Sequence, residues 1–121
     1  MSVETDFRGL LAGRPALASL LGSGGVALDA VAEGDEPPYV IFSVRHSPQL
    51  GLDNTVLTDQ CSITVQSWAG TAAEAAAIAD QVALAVAAAP TARGACVVER
   101  TSTIDAELGL DGVQQVVEWW G

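Results

Sequence analysis

Two stretches of the chain place apolar residues at the three-to-four-residue spacing of an amphipathic helix. The first covers residues 5–21, where leucines form a stripe and a Gly-Arg-Pro sequence at 13–15 divides it into two short helices. The second opens at Thr71, which has the spacing of a capping box to Glu74, and it ends before Pro90. The pattern therefore predicts helices near the beginning and in the middle of the chain.

Apolar and polar residues alternate in the segments between and after the helices, as they do in strands that bury one face. A strand with one polar face is typical of antiparallel pairing. The alternation predicts strands over residues 26–31, 39–46, 55–68, 95–104 and 113–120.

The order of these elements predicts the fold class. They follow one another as α-β-β-β-α-β-β, which indicates an α+β fold with a mixed or antiparallel β-sheet and helices packed on one face. The glycine-containing residues 108–112 are predicted to form the turn between the last two strands. Because the chain has 121 residues, half of them hydrophobic, we expect residues 1–121 to fold as a single domain.

The charge of the chain excludes several kinds of chemistry. Fifteen acidic residues stand against five basic residues, all of them arginine, and the formal net charge is −10. Without lysine, the chain cannot form a Walker A phosphate loop or a Schiff base on a side-chain amine. The negative charge also repels nucleic-acid phosphates and anionic lipids. We therefore expect no specific nucleic-acid binding and no membrane association.

The groups that could carry chemistry do not form a catalytic or metal-binding pattern. The single histidine, His46, lies at the predicted end of a strand, and a surface position explains it better than a catalytic triad. Cys61 and Cys96 are predicted to be small buried residues rather than a disulfide or zinc ligands. The acidic residues near 33–36 and 105–111 lack the spacing of a calcium loop and are predicted to be solvated turn residues. We expect no enzymatic activity, no metal and no cofactor.

Two adjacent tryptophans near the end of the chain predict a contact outside the chain's own core. Neighbouring residues of a strand point to opposite faces, so Trp119 can enter the core while Trp120 faces outward. Tryptophan is enriched at protein interfaces. We therefore expect Val116, Glu118 and Trp120, which share one face, to form a subunit interface of a homo-oligomer. The alternative is a frayed terminal tryptophan.

The order and spacing of these segments resemble the tail-completion or tail-terminator proteins of long-tailed bacteriophages and related gene-transfer particles. The resemblance covers about residues 5–120. It rests on a leucine-rich first helix that ends in Leu-Leu-Gly and on a proline-rich connector before the strand PPYVIF at 37–42. It continues with the strand CSITVQSW at 61–68, the sequence GTxxEA that opens an alanine-rich helix, and a last strand that closes in VVEW.

This resemblance implies a structural, non-enzymatic assembly protein of the virion. It implies a hexameric ring at the head-proximal end of the tail, assembled in the cytoplasm of a bacterial host. The expected partners are the tail tube protein, whose polymerisation the ring stops, and the head–tail connector protein. DNA is expected to pass through the lumen of the ring without binding, since a negative wall repels its phosphates.

The segment between the two clearest strands is the predicted partner-contact loop. Because it is long and polar, we expect it to project from the ring towards the tail tube or the connector. The residues of this predicted loop are Ser47, Gln49, Leu50, Gly51, Leu52, Asp53, Asn54 and Thr55.

Two alternative functions fit the same sequence pattern. One is another ring-forming subunit of the same particle, either a neck protein or a tail-tube subunit. The other is a small ligand-binding α+β domain, for which a dimer with a ligand-induced thermal shift would be the sign.

Overall fold

Three helices and five strands form the part of the chain that a computed structural model describes, residues 3–22, 25–29, 37–50, 56–89 and 94–120. The predicted α+β class and the predicted order are confirmed, with the first helix divided in two. In chain order the elements are α1 (Val3–Ala12), α2 (Pro15–Ala18), β1 (Gly25–Leu28), β2 (Tyr39–Leu50), β3 (Val56–Ala69), α3 (Ala72–Ala87), β4 (Cys96–Asp105) and β5 (Leu110–Trp120).

The helix boundaries follow from local backbone chemistry. Pro15 takes the first position of α2, where a residue without an N–H loses no helical hydrogen bond. Thr71 caps α3, because its hydroxyl accepts the backbone N–H of Glu74 at 3.2 Å. Both features were predicted from sequence. No helix within the described ranges is long and apolar enough to cross a membrane.

The five strands form one mixed sheet in the order β1-β2-β3-β5-β4. β1 runs parallel to β2, and the other neighbours are antiparallel. The short β1 and the ten-residue β4 are therefore the two edge strands of the described sheet. The long β3 lies in the centre and is paired on both sides.

The helices cover one face of this sheet. Alternate residues of β3 are fully buried, among them Cys61, Ile63 and Val65, and their partners on β5 include Val117 and Trp119. These side chains belong to the same apolar core cluster as the buried residues of all three helices. The opposite face has no second layer in the described part of the chain, and we call it the outer face.

An aromatic contact holds α1 against the middle of the sheet. The ring of Phe7 lies 5.3 Å from that of Phe42 on β2 and 5.7 Å from that of Trp119 on β5, measured between ring centroids. The contact with Trp119 is edge-to-face, at 88°. Such pairs contribute about 0.5–1.5 kcal/mol beyond the burial of their area. One side chain of α1 therefore connects two strands that are not neighbours.

Alanines and one buried amide position α3. Ala75, Ala79 and Ala85 are completely buried, so the helix axis can lie close to the sheet. The buried side chain of Gln115 on β5 donates a hydrogen bond from Nε2 to the carbonyl oxygen of Ala79 at 3.1 Å. This bond links α3 to β5 at one point and pairs the amide nitrogen, while the amide oxygen Oε1 of Gln115 is buried without a hydrogen-bond partner among the described residues.

The predicted end of β2 was wrong. Ser47, Gln49 and Leu50 are not in a loop, because β2 continues through Leu50 and pairs with β3 along its whole length. The sheet tolerates Pro48 there, since this end of β2 has a strand on one side only and needs fewer N–H donors. Residues 51–55, the rest of the predicted loop, lie outside the described residues.

The predicted turn at 108–112 is also too long. Leu110 already pairs with Asp105 as the first residue of β5, so residues 110–112 belong to this strand and not to the turn. The predicted strand at 26–31 is confirmed as far as Leu28, the last residue of β1, and the next residue, Asp29, has a positive φ of 66°. Residues 30 and 31 lie outside the described residues.

Truncation of Phe7 tests the aromatic contact. We expect Phe7→Ala to lower the free energy of unfolding by about 3–5 kcal/mol, because it removes a completely buried ring between two strands. Urea unfolding followed by tryptophan fluorescence measures this change. Leu108→Ala, at a residue that is 64% exposed, should change stability by no more than about 0.5 kcal/mol. A loss below about 1 kcal/mol for Phe7→Ala would contradict this account of how α1 is held.

Candidate functional site

The outer face is the largest surface of the sheet that the helices leave open. Alternation along each strand and the register between strands determine which residues share it. Most side chains of the outer face are polar and uncharged. Two of them are joined by a hydrogen bond, which Nε2 of Gln66 donates to Oε1 of Gln114 at 3.3 Å. Its charged members are Arg45, Glu99, Asp105 and Glu118; the others include Ile41, Ser43, Gln60, Ser62, Thr64, Gln66, Trp68, Thr101, Thr103, Gln114, Val116 and Trp120.

One end of the outer face is closed by packing within the chain. The ring of Trp68 lies on Gly112, so close that a Cβ at this glycine would meet the ring at 2.7 Å. Tyr39, opposite Trp68, is only 5% exposed. Burial, together with the negative charge of Asp105, raises the pKa of the Tyr39 phenol, so this group stays neutral. At this end the side chains of Trp68 and Tyr39 are thus packed within the chain itself.

The other end of the outer face carries the three predicted interface residues. Val116, Glu118 and Trp120 lie at alternate positions of β5 and are half-buried. The prediction that one tryptophan enters the core and the next faces outward is confirmed, since Trp119 is only 2% exposed and Trp120 is on the opposite side. Trp120 is not frayed: its indole lies over Gly94, where an added Cβ would meet Cδ1 at 2.8 Å.

The predicted partner-contact segment is the end of a hairpin arm. β3 pairs with β5 only from Gln60 onward, whereas its pairing with β2 continues to Val56. The last four residues of β2 and the first residues of β3 therefore form a two-stranded ribbon that extends past the rest of the sheet. We call this ribbon, 47–50 with 56–59, the hairpin arm. Residues 51–55, which follow β2 and precede β3 along the chain, lie outside the described residues.

His46 lies inside β2, not at the end of a strand as predicted. Its Nδ1 is 3.5 Å from Sγ of Cys61, and its Nε2 is 3.1 Å from Oε1 of Glu4 on α1. The three groups stand in the order of a catalytic thiol, base and carboxylate, but Cys61 is completely buried and a substrate has no access to its sulfur. The arrangement links the start of α1 to the sheet.

The remaining candidate groups do not form a metal or disulfide site. Cys61 is buried as predicted, whereas Cys96 is exposed, which corrects the prediction; neither cysteine forms a disulfide. Asp105 accepts the backbone N–H groups of Glu107 and Leu108 at 3.1 Å each, as a turn carboxylate does. Among the described residues, no group of three or more His, Cys, Asp or Glu side chains could hold a metal ion. Residues 33–36 lie outside the described part.

Residues 5–120 match the family described as "Tail completion protein gp17". The chain belongs to this family. It is therefore a structural assembly protein of a tail, and membership of a virion protein family favours a non-enzymatic role.

A solved structure supports the same fold for this tail-completion protein. A chain of the structure described as "Virion of native gene transfer agent (GTA) particle" matches with a TM-score of 0.72 at 17% identity. The match covers 98% of this chain and 93% of that chain. No curated protein matches. At this identity the likeness shows the fold, and the fold is that of a subunit found in a virion particle.

Sequence reasoning missed two features of these surfaces. The hairpin arm was missed because Pro48 and Gly51 are residues typical of a loop. The contact of His46 with Glu4 joins residues 42 positions apart, and no local pattern marks it. The even spacing of Val116, Glu118 and Trp120, in contrast, was enough to place them on one face.

Proposed function

We propose that this tail-completion protein is a tail terminator. It forms a hexameric ring that binds the last ring of the tail tube, stops polymerisation of the tube and joins the tail to the head connector. The observation that carries the proposal is the outer face: a sheet surface that no described element covers, with few charges and two tryptophans, on a chain whose net charge is −10.

The low charge of the outer face supports a role as a protein contact. Charged residues are depleted and tryptophan is enriched in the centres of interfaces, because burying an unpaired charge costs free energy. Val116 and Trp120 offer apolar area, and Glu118 between them can accept a hydrogen bond or an ion pair from a partner. We assign Val116, Glu118 and Trp120 to a contact between subunits of the ring.

The hairpin arm supports a separate contact with the tube or the connector. A two-stranded ribbon that extends past its sheet can reach a neighbouring ring without disturbing the fold of its own subunit. Its predicted contact residues are Ser47, Gln49 and Leu50 on the described strand, and Gly51, Leu52, Asp53, Asn54 and Thr55 beyond it. In the assembled particle the ring stands at the head-proximal end of the tail.

The net charge supports passage of DNA without binding. A charge of −10 per subunit, repeated around a ring, repels the phosphate backbone throughout the lumen. DNA then passes through the ring as a polyanion between negative walls, and no base contact is needed.

Particles made without this protein test the terminator function. Electron microscopy should show tails longer than those of wild-type particles, because nothing stops the addition of tube subunits. Heads without tubes would instead identify a tail-tube subunit, and tails of normal length would identify a neck protein. Either result would overturn the terminator proposal.

Deletion of residues 51–54 tests the partner contact. Since these residues follow β2 and precede β3 in the sequence, the variant should keep its ring and its thermal stability but fail to cap tail tubes. Ring formation is measured by mass, and capping by the length distribution of tails. Normal capping by the shortened protein would contradict the assigned role of the arm.

The variant Trp120→Ala tests the subunit contact. We expect the concentration needed for half assembly to rise about tenfold or more, because a large aromatic contact is lost at each interface. Light scattering gives the mass, and far-ultraviolet circular dichroism verifies the fold, since Trp120 also covers Gly94. Trp120→Phe, which retains an aromatic ring, should have a smaller effect. A ring that assembles as in the wild type after Trp120→Ala would show that the assignment is wrong.

A further inference from the structure

The middle of the outer face carries two charges of opposite sign in one row across the sheet. Arg45 on β2 is in register with Ser62 on β3, and Ser62 is in register with Glu118 on β5. One strand therefore separates the two charged residues, with about 10 Å between their Cα atoms. Neither side chain forms a hydrogen bond or an ion pair within the described part of the chain. Both charges are thus available to a partner.

This row is open to solvent. Arg45 and Ser62 are exposed, as is Ser43 next to them on β2, so the rest of the chain does not cover this region. Glu118 is half-buried on the same face. Burying an unpaired charge costs free energy. A surface that covers the row therefore has to supply an anion opposite Arg45 and a cation opposite Glu118.

The remaining charges of the outer face lie at its rim. Glu99 and Asp105 both belong to β4, which is an edge strand. On this face β2, β3 and β5 carry no other charged side chain within the described ranges. A carboxylate at the rim keeps its hydration when the centre of the face is covered. Arg45 and Glu118 are therefore the charges that decide which surface fits.

A second copy of the same face has the required pattern. A two-fold axis that runs along β3 past Ser62, between two facing sheets, exchanges the positions of β2 and β5. Arg45 of each copy then lies opposite Glu118 of the other, which gives two identical ion pairs. On the axis β3 faces β3, and its outer-face residues there are uncharged, namely Gln60, Ser62 and Thr64. Packed sheets are about 10 Å apart, a gap that an arginine and a glutamate side chain span together.

The size of the outer face is that of a reversible contact. Its four strands β2, β3, β5 and β4 are together about 20 Å wide. Residues 60–68 of β3, which are paired on both sides, span about 30 Å. The face therefore measures about 600 Å² per copy, below the roughly 800 Å² per partner of a standard interface. Contacts of this size are weak or transient, as a subunit that later enters a larger assembly requires.

We propose that the free protein, in dilute solution and away from tail tubes, is a two-fold dimer whose outer faces pack on each other. Arg45 of each copy pairs with Glu118 of the other. A contact of one surface with itself closes at two copies, so this dimer cannot grow into a ring or a fibre.

The dimer covers the surface assigned to the ring, and this part of the inference rests on the proposed function. Val116 and Trp120 flank Glu118 on β5, so they are buried in the same contact. A subunit can then take part in the dimer or in the ring, but not in both. Because the dimer needs two copies and the proposed ring six, dilution favours the dimer, whereas a tube that binds subunits favours the ring.

Charge reversal at the two positions tests the pairing. Arg45→Glu and Glu118→Arg each bring like charges together twice in every dimer, and either should raise the dimer dissociation constant about tenfold or more. An equimolar mixture of the two variants should dimerise again, since both contacts of the mixed dimer then join unlike charges.

The measurement is the mass in sedimentation, made without tail tubes and below the concentration at which rings assemble. Arg8→Glu on α1 and Glu107→Arg in the β4–β5 turn are the charge-matched controls. Both lie away from the centre of the outer face and should dimerise as the wild type does. Circular dichroism verifies that every variant is folded.

A wild type that is a monomer or a ring at every concentration would overturn the dimer. A single reversal that dimerises equally well, or a mixture that does not recover, would also overturn it. These results leave the terminator function standing, because the length of tails in particles without the protein decides that function. Tails of normal length would in turn overturn the terminator and leave the dimer standing.

Discussion

The helices of this protein cover only one face of its sheet, and most other properties of the molecule follow from that constraint. Phe7 fixes α1 over β2 and β5, and the alanines of α3 let the longest helix lie close to β3 and β5. The helical layer therefore ends before it covers β4, and the opposite face has no layer at all in the described chain. A small domain of this architecture has a complete core and still presents a broad flat face and two open edges.

Much of this arrangement could be predicted from sequence, because its determinants are local. The alternation around Ile63 and the cap at Thr71 each depend on residues a few positions apart, and the structure confirms both. The hairpin arm could not be predicted in the same way. Pro48 favours a loop in isolation, and only the absence of a third strand beside this part of β2 makes it acceptable in the ladder.

The candidate surfaces were predictable in part, for a related reason. Strand periodicity placed Trp120 opposite Trp119, which is a local property. The edges of the sheet depend on strand order, and the sequence does not reveal that β5 lies between β3 and β4. Without that order, Ile104 and Leu84 are two exposed apolar residues twenty positions apart. With it, both lie on the β4 side of the domain, since Leu84 is one helical turn from Asp80, which accepts a hydrogen bond from Arg100 of β4.

The distribution of charge distinguishes between the two kinds of surface that a ring subunit needs. If the outer face lined a channel, its few carboxylates would repel DNA only weakly, and its glutamine and threonine side chains would offer hydrogen bonds to phosphates. If the outer face is instead buried between subunits, few charged side chains lose their hydration. The first turns of α1 and α3 carry carboxylates instead, Glu4, Asp6 and Glu74. In the proposed ring, a wall that keeps DNA from binding is thus better supplied by the helical side of the subunit than by the open face of the sheet.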